Sequence, residues 1–215
     1  MISAVLFDLD GTLVDSLRDL AESANALLTS YGAAPLDTAV IGGMVGDGAA
    51  KLVARACAAA GVAPRDALPK FLEIYDSRLL AHTRPYDGMP ETLASLAGRG
   101  ASLAVLTNKP LGATRRILAG LDLAKFFDED AVVGGDGPWP RKPDSSGLIH
   151  LCEQASVAPG EAMLVGDSLV DWQTAHGAGT AICMARYGFG FQAFPPGTLD
   201  GRERLIDTPR DVLRL

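Results

Sequence analysis

Two aspartates spaced two apart, Asp8 and Asp10, follow directly on the apolar run Ala4-Val5-Leu6-Phe7 and precede Gly11-Thr12-Leu13. In extended chain, residues two apart point to the same side, so both carboxylates can face one site. Gly11 removes a side chain where the backbone must turn and come close to a ligand. A second acidic pair, Asp167 and Asp171, follows another apolar run in Leu164-Val165-Gly166-Asp167-Ser168-Leu169-Val170-Asp171. These residues are four apart, so a helix opening near Ser168 sets them on neighbouring ground. Carboxylates gathered in one crevice repel one another unless a hard divalent cation lies between them. A donor set of Asp8, Asp10, Asp167 and Asp171, oxygens without His or Cys, favours Mg2+ over zinc.

Thr107-Asn108-Lys109 follows a third apolar run, and Arg141-Lys142-Pro143 stands before a later helical pattern. A hydroxyl, backbone amides and an ammonium are what a transferring phosphoryl group needs, because charge grows on its equatorial oxygens. Thr107 and Lys142 are the candidates for that duty, with Asn108 beside Thr107 as a further phosphate-binding position. Taken singly, each piece has an ordinary explanation. Asp-x-Asp-Gly is commonly a solvated turn, and Asp171 could simply complement a helix dipole. Their common placement, after strand-like runs or at helix starts, favours the catalytic reading.

Four apolar runs, Ala4–Phe7, Leu103–Leu106, Ala162–Val165 and Ala181–Met184, read as parallel strands buried on both faces. Helical patterns at roughly 90–99, 111–121, 145–156 and 169–177 separate them, and a weak strand is expected at Ala131–Val133. That alternation predicts an α/β fold with a doubly wound parallel sheet. The interval from Val14 to Arg84 breaks the rhythm, with Leu17, Leu20, Ala24, Leu27 and Leu28, then Leu52, Ala56 and Ala59, at helical spacing and no convincing strand. It predicts a helical cap domain over 14–84 inserted in a core made of 1–13 and 85–215, with turn chemistry at Asp15 and at Pro85-Tyr86-Asp87-Gly88. The Gly- and Pro-rich tail after Phe189 is not readable in detail.

With 215 residues, 48% of them hydrophobic, the chain can bury a proper core. A formal charge of −7 argues against nucleic acid and anionic membranes as partners. Cys57, Cys152 and Cys183 are odd in number and far apart, which suits small buried residues in a reducing compartment. The start Met1-Ile2-Ser3-Ala4 lacks a charged, long apolar leader, and no long charge-free apolar run follows. The expectation is a soluble, cytoplasmic protein, of oligomeric state left open.

The four motifs, in this order, resemble those of haloacid dehalogenase superfamily phosphatases, and the resemblance covers essentially the whole chain. It implies a doubly wound core with a mobile cap after the first motif, and chemistry through an aspartyl phosphate. By position, Asp8 is then the nucleophile and Asp10 the general acid, then base. Mg2+ is implied at Asp8, the Asp10 carbonyl and Asp167, with Asp171 in support, and the phosphoryl group at Thr107 and Lys142. The second aspartate, Asp10, points to phosphate esters, and Leu20, where related mutases carry a His, argues against a mutase.

Within the superfamily, the segment from Asp8 to Leu20, the cap segment Val45–Leu52 and Arg186-Tyr187-Gly188-Phe189-Gly190 resemble bacterial phosphoglycolate phosphatases. The implied partner is a small phosphate ester, 2-phosphoglycolate first, with nucleotides, sugar phosphates and pyrophosphate as alternatives. A metal-binding interaction module without turnover is the reading from another class. Gly46 and Lys51, in a loop expected to close over the substrate, are the candidate specificity residues. The stretches Asp136–Pro140 and Asp144–Gly147 depart from the family pattern near the leaving-group side.

Overall fold

The computed structural model describes residues 2–214. Its strands are β1 (Ala4–Phe7), β2 (Val14–Asp15), β3 (Arg84–Pro85), β4 (Ser102–Leu106), β5 (Val132–Val133), β6 (Ala162–Gly166), β7 (Ala181–Ala185) and β8 (Arg204–Ile206). The helices are α1 (Leu17–Ser30), α2 (Thr38–Gly42), α3 (Ala49–Ala59), α4 (Ala67–Asp76), α5 (Met89–Gly98), α6 (Leu111–Gly120), α7 (Ser146–Gln154) and α8 (Leu169–Ala178). Six strands form one parallel sheet in the order β5-β4-β1-β6-β7-β8, so β1 is central and the chain winds away from it in both directions. This is the doubly wound sheet expected from the apolar runs.

The strands are apolar on both faces because both faces are covered. Val5, Phe7, Val105, Met163, Val165 and Cys183 point into one core, which continues through α5 and α6 into the helices α1, α3 and α4. Leu6, Ala104, Leu106, Leu164, Ile182 and Met184 point the other way, against Leu148 and Leu151 of α7 and Ala175 of α8. All three cysteines are free and buried.

Register decides where the chemistry lands. Phe7 pairs with Val105 on one side and Val165 on the other. The residues just beyond β1, β4 and β6 therefore emerge at one level, which in an open α/β sheet is the ligand-binding edge.

Helices α1 to α4 form a cap inserted after β1. The chain leaves and returns through a two-stranded antiparallel ribbon, with Val14 opposite Pro85 and Asp15 opposite Arg84. This ribbon was not expected, because two-residue strands carry no alternation to read. The cap stripes are Leu20, Ala24, Leu27 and Leu28 on α1, Leu52, Val53, Ala56 and Cys57 on α3, and Phe71 and Tyr75 on α4. Ala59, expected on the α3 stripe, faces solvent. The fully buried Asp19 fastens the return crossing, accepting from the backbone N–H of His82 at 2.8 Å and of Thr83 at 2.7 Å. Strand β8, in the tail that gave no sequence signal, extends the sheet beside β7 and buries Ile206. Among the described residues no helix is long and apolar enough to cross a membrane.

Candidate active site

Asp8 is the first residue past β1, and its backbone N–H still donates to the Val165 carbonyl at 2.9 Å. That bond holds its carboxylate at the sheet edge, where the Lys142 ammonium lies 2.9 Å from one oxygen. The same ammonium lies 2.5 Å from Asp171. Asp167, just past β6, accepts from the Gly190 N–H at 2.8 Å. Asp171 sits in the first turn of α8, where it and Ser168 form a capping box. Its second oxygen takes the Ser168 N–H at 3.0 Å and hydroxyl at 2.6 Å, so it braces Lys142 as well as the helix start.

Glycines make room for this crowding. A Cβ on Gly188 would lie 2.3 Å from both the Asp167 Cβ and the Gly11 carbonyl oxygen, and one on Gly166 would lie 2.3 Å from the Asp171 Cβ. Gly11 itself has φ of 90°, a conformation that disfavours side chains.

Asp8, Asp167 and Asp171 each present an oxygen within 4.8 Å of the others, all buried. Burial pushes the Asp8 carboxyl up to about 6; Lys142 works against that rise and Asp171 adds to it. Asp167 is pushed well above the ordinary carboxylate range by burial, then by Asp171 and Asp8. Lys142 has the reverse balance: burial opposes its charge, but its two carboxylates outweigh that and keep it protonated. One ammonium among three buried carboxylates leaves negative charge uncompensated, and an all-oxygen donor set of this kind suits a hard divalent cation.

Asp10 lies nearby with different partners. Both its oxygens are 2.8 Å from the Lys109 ammonium, and one accepts from the Ser16 hydroxyl at 2.6 Å. Neither Lys109 nor Ser16 was singled out from the sequence as a site residue, although Lys109 adjoins the Thr107-Asn108 motif. Thr107 is buried at the end of β4, its hydroxyl accepting from the Lys109 N–H at 3.2 Å. The Asn108 side-chain amide donates to the carbonyls of Gly46 and Lys142, each at 2.9 Å. One donor of that side chain joins the cap loop to the core and the other ties two core segments together, so neither is left for a ligand.

The cap loop also differs from expectation in one residue. Gly46 does reach the core, lining a cleft of about 240 Å³ together with Asp8, Asp10, Thr107 and Lys109. Lys51 does not line it: the side chain is 63% exposed and pairs with Asp47 at 3.0 Å. The physical reason is its place on α3, one residue before the buried stripe that begins at Leu52 and one turn after an acid that can hold it.

Comparison with known proteins gives this geometry a family. The haloacid dehalogenase-like hydrolase profile matches residues 5–185, a span that includes all four motifs. The chain belongs to the haloacid dehalogenase-like hydrolase family. Among relatives of this hydrolase, the phosphoglycolate phosphatase of Rhodospirillum rubrum is 43% identical over 198 residues, covering 88% of this chain and 81% of the relative. That of Nitrosospira multiformis is 39% identical over 194 residues, covering 87% and 85%. The crystal structure of a predicted phosphoglycolate phosphatase from Haemophilus somnus superposes with a TM-score of 0.87 at 30% identity, covering 99% of this hydrolase and 97% of that chain.

Proposed function

We propose that this hydrolase is a Mg2+-dependent phosphatase that cleaves a small phosphate monoester, 2-phosphoglycolate by preference, through an aspartyl phosphate on Asp8. The observation that carries the reading is the meeting of Asp8, Asp10, Lys142 and Asp167, distant in sequence, at one sheet edge beneath the cap. The substrate name rests on the phosphoglycolate phosphatases that the chain is similar to.

In the first step an Asp8 oxygen attacks phosphorus, the ester oxygen departs, and Asp10 gives that oxygen a proton. In the second, a water loses its proton to Asp10 and attacks the same phosphorus, which releases phosphate and restores Asp8. Asp10 is already held on two sides, by Lys109 and Ser16, so its position at the leaving group is fixed before substrate arrives. Lys142, braced by Asp171, and the Thr107 hydroxyl would meet the phosphoryl oxygens, with the Asn108 backbone N–H beside them. Asp8, Asp167 and the Asp10 carbonyl would hold Mg2+, with Asp171 in support, and the ion would neutralise charge on the phosphoryl oxygens.

The reading takes 14–84 as a cap domain over a core of 1–13 and 85–215, the Gly46 loop closing on the substrate. It places the enzyme in a reducing cytoplasm, for which the three unpaired cysteines speak. A panel of phosphate esters ranked by kcat/KM, with Mg2+ and with EDTA, tests it. The expected result is Mg2+-dependent turnover with 2-phosphoglycolate first; a clear preference for a nucleotide or sugar phosphate overturns the substrate, and turnover undiminished in EDTA overturns the metal.

A further inference from the structure

The cleft between cap and core has a floor of polar groups and a roof of Leu20, Val45, Leu52, Phe71 and Leu79. One lining residue among those described is a cation, Lys109. Other basic side chains nearby have partners of their own: Lys51 and Arg55 pair with Asp47, Arg116 with Asp76 at the cleft wall, and Lys142 with Asp8 and Asp171, while Arg141 donates from Nε to the Gly135 carbonyl. A leaving group that carries a carboxylate therefore has one cation to meet inside the cleft.

Lys109 can take such a partner. It is buried, and an ammonium has three donors, of which two are directed at the Asp10 oxygens at 2.8 Å. On the facing wall, Tyr75 of α4 places its ring centroid 4.7 Å from the same nitrogen. The Tyr75 hydroxyl is buried and, although close enough to Lys109 to feel its charge, makes no hydrogen bond of ordinary geometry. Burial pushes that phenol up to about 12, so it remains a donor at neutral pH. A buried hydroxyl held only loosely, by a neighbouring ammonium that two carboxylate oxygens already engage, is expensive in a folded protein, and its place in a cleft points to a ligand.

We infer that Lys109 and the Tyr75 hydroxyl together receive the carboxylate of the leaving group. The inference rests on the proposed phosphoglycolate reading and says how that substrate is told from uncharged esters. Reach agrees with it: Asp10 must touch the ester oxygen, the glycolate carboxylate carbon is two bonds from that oxygen, and Lys109 is Asp10's immediate neighbour. The carboxylate would then be clasped between a core residue and a cap residue, which an uncharged leaving group cannot exploit.

The test compares 2-phosphoglycolate with ethyl phosphate, which has a methyl group in place of the carboxylate, in the wild-type enzyme and in Tyr75→Phe and Lys109→Met. The ratio of kcat/KM for the two esters is read within each variant, so it does not depend on how much protein folds. Lys109→Met should slow both esters, because Asp10 loses a positioning partner, yet its ratio should fall by about tenfold or more. Tyr75→Phe should lower the ratio in the same direction. A wild-type preference for 2-phosphoglycolate that survives unchanged in both variants overturns the inference and leaves the proposed function standing. A wild-type enzyme that turns over other esters but does not favour 2-phosphoglycolate overturns the substrate reading, and the receptor with it.

Discussion

Replacing Asp8 by Asn should destroy turnover and, in metal-free protein, raise stability. The reason is the charge the fold carries without its cation. An ordinary aspartate titrates at 3.8, and burial, reinforced by Asp171 and only partly offset by Lys142, pushes Asp8 up to about 6. Keeping it ionised at neutral pH therefore costs the metal-free fold about 3 kcal/mol. Asparagine has nearly the same shape and no charge, so Asp8→Asn should recover up to about that amount, the equivalent of several degrees in Tm at about 2–4 °C per kcal/mol for a chain of this size.

The pH dependence follows with a definite sign. Between 3.8 and about 6 the folded protein holds a proton on Asp8 that the unfolded chain has lost. Stability from this group thus rises as pH falls through that window. The variant lacks the group, so its advantage over wild type should be largest above the window and vanish below it. Differential scanning calorimetry in EDTA, from about pH 8 to about pH 4, reads the gap directly. Saturating Mg2+ should reverse it at neutral pH, because the cation binds the wild-type carboxylate in the folded state alone. A metal-free Asp8→Asn protein no more stable than wild type at neutral pH, or a gap that does not change with pH, would refute the reasoning.

Asp10→Asn should slow esters with poor leaving groups far more than p-nitrophenyl phosphate, whose leaving group needs no proton; equal losses on both would count against the acid role. Asp19→Ala should lower stability by about 2–3 kcal/mol in a urea titration, since the His82 and Thr83 N–H groups and the Thr83 hydroxyl lose a buried acceptor. An unchanged unfolding midpoint in that variant would remove Asp19 as the fastening of the cap's return crossing.

The parts of the fold visible in the sequence are those that one segment determines alone. β1, β4, β6 and β7 are legible because strands buried on both faces are unbroken apolar runs. Asp8, Thr107 and Asp167 are legible because each is the first polar residue past such a run. β8 and the Val14–Pro85 ribbon were hidden for the opposite reason: strands of two or three residues, partly exposed, have no pattern of their own. Lys51 was misplaced because a loop lysine shows nothing of its direction until the helix phase is known. Asn108 stands beside Thr107, but its side chain serves the Gly46 and Lys142 carbonyls.

What stayed hidden at the site shares one property: it depends on two distant segments at once. Lys109 and Asp10 are 99 residues apart and meet because Phe7 and Val105 are in register. Tyr75 reaches Lys109 only through the cap, and Asp19 holds His82 only through the crossing. These contacts lie along the path from cap to acid. The Lys109–Asp10 pair is 5% and 12% exposed with α4 in place, and burial is what makes such a pair strong, since the same charges in water attract weakly. On the proposed mechanism, any motion that carried Tyr75 away would let water reach the ammonium and loosen the carboxyl group assigned to the ester oxygen. On that mechanism the cap is tied to catalysis through the group it shelters, whichever ester the cleft admits.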